Sequence, residues 1–165
     1  MFELKPITKE SIPRAIEKAE RYRLLNEPKQ AESICLDVLA IEPAHQPALI
    51  CLLLALADQF GTGAGRLVEE TKRILPRLRT TYQQAYYAGI ISERLARQQL
   101  GHTHPGASFG AYEHLRDAMS HYERAEALAA HGDDDAILRY NTCVRVIQQE
   151  SLVAPQRDEQ ELPLE

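Results

Sequence analysis

Residues 12–43, IPRAIEKAERYRLLNEPKQAESICLDVLAIEP, decide the fold of this chain. Their apolar side chains recur at spacings of three and four, first along residues 12–22 and again along residues 31–39. This spacing is the pattern of two helices that each turn one face to a core. Pro28 suits the first turn of the second helix, and Pro43 marks its end because proline lacks the N–H that a helix needs. The stretch therefore predicts a helical hairpin.

The same spacing continues after residue 43 and predicts five more helices. They cover residues 47–59, 66–75, 81–100, about 111–131 and about 134–149. Residues 48–57 are apolar on every side, and such a helix is normally buried on every side, so we expect it at the centre of the molecule. Asp133, Asp134 and Asp135 favour the start of the final helix, because carboxylates suit the positive end of the helix dipole.

The first hairpin resembles a tetratricopeptide repeat, a helix-turn-helix unit of 34 residues. The residues that carry the resemblance are Ala19, Tyr22, Ala31, Val38 and Pro43. Small residues let the paired helices approach closely, and the tyrosine fills the space beside that contact. The resemblance implies an all-α, right-handed superhelical stack of about three antiparallel helix pairs plus a C-terminal capping helix. The resemblance covers roughly residues 12–150. We expect residues 1–150 to form one domain, followed by an acidic disordered tail at residues 151–165.

Composition limits the classes of protein that this chain can belong to. It has 165 residues, of which 44% are hydrophobic and 26% charged, which is normal for one globular domain. The formal net charge of −5 would repel a nucleic-acid backbone. The longest apolar run, residues 48–57, is half of what a membrane helix needs, and residues 1–10 lack the pattern of a signal peptide. Cys35, Cys51 and Cys143 fit reduced core thiols, so we expect a cytoplasmic protein.

No motif in the chain argues for catalysis, a metal or a cofactor. The sequence GTGAG at residues 61–65 resembles a phosphate loop, but a helix precedes it and no Lys-Ser or Lys-Thr follows, so we interpret it as a turn. His102, His104, His114 and His121 lie within twenty residues, yet no further ligand stands at a fixed spacing. We therefore predict no enzyme. A small metal-binding enzyme that uses the insertion at residues 101–121 stays as an alternative.

The resemblance also implies a function, because the front helices of such repeats line a concave groove that binds a peptide. Carried over by position, the groove residues are Ile16, Glu20, Arg23, Ile50, Leu54, Gln83, Tyr86, Tyr87, Ile90 and Arg94. Apolar residues combined with Arg and Tyr are typical of binding surfaces. We therefore expect a scaffold for a protein or peptide partner, without nucleic acid or membrane. A structural module that self-associates as a homo-oligomer is the other alternative.

Overall fold

The computed structural model describes residues 2–61, 64–101 and 106–155. These residues form seven α-helices, two short 3-10 helices and no strand, which confirms the all-α prediction for this part of the chain. The α-helices are α1 (Ile12–Leu24), α2 (Pro28–Ile41), α3 (Gln46–Ala57), α4 (Gly65–Ile74), α5 (Thr81–Leu100), α6 (Ala107–Glu126) and α7 (Asp135–Gln149).

Local signals explain where most helices begin. Pro28 is the first residue of α2, as predicted. Thr80 and Gln83 form a reciprocal capping box at the start of α5, which covers the predicted residues 81–100. Helix α6 differs from its predicted span of about 111–131. It starts directly after Gly106, whose φ of 87° lies in the left-handed region and so excludes this residue from the helix.

Helices that are neighbours in the chain pack against each other, with contacts within the series α1 to α4 and within the series α5 to α7. Helix α1 also contacts α3, and α4 contacts α5. The first apolar cluster is formed mainly by α1 to α4 together with Ile91 of α5, and the second mainly by α5 to α7. Helix α3 supplies the largest share of the first cluster. Leu54 of α3 and Tyr87 of α5 pack against both clusters. These two side chains therefore join the two cores.

Small residues are buried where the helices approach most closely. Ala19 and Ala31 of the first hairpin have no exposed surface, in agreement with their predicted packing role. Cys35, Cys51 and Cys143 are free and buried, as predicted. Burial raises the pKa of Cys143 to about 12, so this thiol stays protonated at neutral pH.

The packed chain extends slightly past the predicted domain end at residue 150. Leu152 is buried and packs in the second cluster, whereas residues 156–165 of the predicted disordered tail lie outside the described residues. None of the helices in the described ranges is long and apolar enough to cross a bilayer.

Candidate protein-binding site

Side chains from α1 and α5 meet at a carboxylate that follows the last residue of α3. Asp58 accepts hydrogen bonds from Nε and Nη2 of Arg23, at 3.0 and 2.8 Å. Nη2 of Arg94 lies 3.1 Å from the other carboxylate oxygen of Asp58. The three side chains keep only 17–20% of their surface exposed. One shared polar contact therefore ties α1, α3 and α5 together.

Helix dipoles explain why two arginines surround this aspartate. Asp58 caps the C-terminal end of α3, where the dipole disfavours negative charge. Arg23 lies in the last turn of α1, where the dipole favours a cation. Burial lowers the pKa of Arg94, and the charge of Asp58 opposes that effect. Together the two guanidiniums offset the unfavourable position of the carboxylate.

An open cavity of about 640 Å³ lies beside this cluster. Arg97 of α5 and Leu24 of α1 line it, and both side chains are exposed. The cavity is further lined by Asn26, Ala57, Phe60, Gly61, Gln98 and Gly101. Three arginines against one aspartate give it an excess of positive charge, although the whole chain is acidic. Such a cavity can bind anionic side chains, because guanidinium groups pair with carboxylates in a bidentate geometry.

The structure places the ten residues predicted to line a groove in different settings. Arg23 and Arg94 come together at Asp58. Ile16 and Ile90 are 7% and 3% exposed and pack in the first and second clusters, so neither side chain is available to a ligand. Glu20 is exposed, and the remaining five are partly buried: Ile50, Leu54, Gln83, Tyr86 and Tyr87.

Several of these partly buried residues have internal partners. Gln83 belongs to the capping box of α5, where its Oε1 accepts a hydrogen bond from the backbone N–H of Thr80 at 3.3 Å. The ring of Tyr86 stacks on Tyr82, with 5.8 Å between ring centroids. Leu54 and Tyr87 join the two cores. These residues therefore contribute to the packing of the fold. Arg23 and Arg94 line the cavity of about 640 Å³, and Tyr86 lines a smaller one of about 220 Å³.

A second polar cluster lies inside the C-terminal half. The buried carboxylate of Glu93 accepts a hydrogen bond from the hydroxyl of Tyr122 at 2.8 Å and another from Nη1 of Arg139 at 3.2 Å. Burial and the nearby carboxylate raise the pKa of Tyr122, so its hydroxyl remains a donor. Both oxygens of Glu93 have a partner, which is the requirement for burying a charge. This cluster connects α5, α6 and α7.

Sequence reasoning missed Asp58, Arg97 and Glu93. Asp58 directly follows the apolar helix α3. A carboxylate at the C-terminal end of a helix is unfavourable, so its position was a signal that it has a cationic partner. Arg94 and Arg97 are three residues apart on α5, a spacing that makes them neighbours on one helix face. Glu93 gave no signal, because its partners lie 29 and 46 residues further along the chain.

The described residues contain no group of three or more His, Cys, Asp or Glu side chains that could hold a metal ion. Of the four histidines noted in the sequence, His114 and His121 lie on α6 and are partly buried. His102 and His104 lie outside the described residues, as do residues 62–63 of the glycine-rich turn.

No family model, curated protein or solved structure matches this chain. The function must therefore follow from the charges, exposure and helix contacts of the site itself.

Proposed function

We propose that this protein is a non-catalytic scaffold that binds a protein or peptide partner along α1, α3 and α5. In this proposal its helix pairs stack as a right-handed superhelix similar to that of tetratricopeptide repeats, with α7 as the cap. The three free, buried cysteines suit a reducing compartment, and we place the protein in the cytoplasm.

The observation that carries this proposal is the convergence of Arg23 and Arg94 on Asp58. It requires α1, α3 and α5 to lie beside one another, which is how the front helices of a repeat stack are arranged. The antiparallel partners α2, α4 and α6 follow each of them in the chain. A surface formed by three adjacent helices offers a partner several turns of contact at once.

The composition of this surface also supports a binding role. The cavity combines guanidinium groups with the exposed side chain of Leu24, which is 88% accessible. Arginine is among the residues that contribute most to the binding energy of protein interfaces, and an exposed leucine adds apolar surface that a partner can cover. Leu24 lies beside Leu25, which is also exposed, so the apolar surface continues along the end of α1.

The test is differential capture from the native cell extract, comparing the wild type with Arg97→Glu and Arg116→Glu. Arg97 is exposed and lines the cavity, whereas Arg116 is exposed on α6, so the two changes alter net charge equally. We expect a protein that the wild type and Arg116→Glu retain and Arg97→Glu loses. The complex should then form again from purified components. Identical captured proteins for all three baits would refute the assigned surface.

A further inference from the structure

The cavity between α1, α3 and α5 has more positive charge than its own residues neutralise. Asp58 accepts two hydrogen bonds from Arg23 and forms an ion pair with Arg94. Nε of Arg94 is buried and has no hydrogen-bond partner among the described residues. Arg97 forms no ion pair with the described part of the chain. A guanidinium has five N–H donors, and Arg97 is exposed, so its donors are open to an anionic ligand.

Helix α7 directs the C-terminal segment of the chain towards the end of α5 that lines the cavity. Tyr82 near the start of α5 is beside Asp133, and Glu93 further along α5 binds Arg139 of α7. Both contacts advance in the same direction along the two segments, so α7 points towards the C-terminal end of α5, where Arg97 lines the cavity.

The chain just beyond α7 stays packed on the core. Leu152 is buried in the second cluster, and its backbone N–H donates to the carbonyl oxygen of Ile147 at 3.0 Å. Ser151 has a φ of 50°, which ends the helix and turns the chain. The ten residues after 155 can extend over at most about 33 Å. Neighbouring helix axes are only about 8–10 Å apart, so the cavity is within reach.

The segment at residues 156–165, QRDEQELPLE, is complementary in charge to the cavity. It contains four acidic side chains against one arginine, and two leucines that flank Pro163. Its carboxylates match the exposed guanidinium of Arg97, and its leucines match the exposed Leu24. Pro163 favours an extended backbone, which keeps acidic and apolar side chains accessible together.

We propose that residues 156–165 dock in the arginine-lined cavity of their own chain. The docked segment covers the surface assigned to the partner, so its regulatory consequence rests on the proposed function. Partner binding must displace the segment, and the apparent affinity falls with the fraction of cavities that it occupies. The docking itself requires no partner and can be tested alone.

The experiment places a spin label on Glu165→Cys in the full chain and records the amide signals of Gly61, Gln98 and Gly101. The label reacts selectively, because Cys35, Cys51 and Cys143 are buried. We expect the amide signals at the cavity to fall to roughly half of their intensity or less, in proportion to the fraction of cavities that the segment occupies. About 0.5 M salt should restore them by screening the ion pairs.

Three comparisons decide the proposal. Arg97→Gln and the triple variant Asp158→Asn, Glu159→Gln, Glu161→Gln, which removes the remaining side-chain carboxylates of the segment, should each restore the signals, whereas Arg116→Gln should leave the loss unchanged. Full intensity in the labelled wild type, or a loss that Arg97→Gln does not relieve, would overturn the docking. Mixing spin-labelled protein with isotope-labelled, unmodified protein checks the origin of the segment. A loss in that mixture would assign the contact to a neighbouring copy and overturn docking within one chain.

Discussion

At the scale of single residues, Gly89 shows how closely α5 and α6 approach. A Cβ atom at this position would lie 2.5 Å from Cε1 of Tyr122, which is far inside van der Waals contact. The ring cannot move away freely, because Tyr122 has no exposed surface and its hydroxyl is bonded to Glu93. Glycine is therefore required here by the space that the tyrosine occupies, not by an unusual backbone angle.

We predict that Gly89→Ala lowers the free energy of unfolding by about 1–3 kcal/mol, the usual cost of overpacking a core. In an unhindered helix the same change would stabilise by up to about 1 kcal/mol. Gly110→Ala is the matched control, since its Cβ would meet only the flexible side chain of Gln99, at 3.4 Å. Urea unfolding of both variants checks this. A Gly89→Ala protein as stable as Gly110→Ala would contradict the described contact.

At the scale of elements, α6 carries two histidines whose protonation opposes its packing. Burial lowers the pKa of His114, and Lys72 of α4 acts in the same direction. Burial also lowers the pKa of His121, helped by Arg124. Asp117 opposes both shifts without reversing them. In the folded protein these two side chains therefore resist taking up a proton.

We predict that folding stability falls as the pH drops below about 6.5, the pKa of an unperturbed histidine. The sign follows from proton binding: below that pH the unfolded chain binds more protons at these positions than the folded chain does, so acid favours unfolding. The double variant His114→Gln, His121→Gln should lose part of this pH dependence, measured by thermal unfolding between pH 7.5 and 5.5. His131→Gln, at an exposed position, should keep it. Equal pH profiles for the wild type and the double variant would disprove the assignment.

At the scale of the whole molecule, two apolar clusters share few side chains. Leu54 and Tyr87 pack against both, and the ion pair between Asp58 and Arg94 adds a polar link between the same helices. Cooperative unfolding of the two halves depends on contacts of this kind. The proposed binding surface lies on this junction, so loss of the junction would also separate the arginines.

We predict that Leu54→Ala lowers the free energy of unfolding by about 1–3 kcal/mol, below the range for a fully buried leucine because Leu54 is partly exposed. Amide hydrogen exchange should accelerate in both clusters, since the side chain serves both. Leu36→Ala, which removes a half-exposed leucine from α2, should change stability by less than about 0.5 kcal/mol. Faster exchange in the first cluster alone would argue against coupling through Leu54.

Local chemistry made most of the helices predictable. A face of apolar residues at helical spacing is repeated along each segment, so the positions of α1, α2 and α5 follow from residues close in the chain. Pro28 starts its helix by a local mechanism, and so does the capping box of Thr80 and Gln83. The start of α6 was harder to predict, because Gly106 alone does not show which way the backbone will turn.

The candidate site depended on tertiary structure. Arg23 and Asp58 are 35 residues apart, and Arg94 lies on a third helix, so no periodicity within one segment relates them. The same reason explains Ile16 and Ile90, which share a helix face with surface residues but are buried by helices that arrive from elsewhere in the chain. A helix forms through contacts three and four residues away, and its sequence contains them. A charged cavity between helices forms only when distant segments pack, and packing decides which side chains remain exposed.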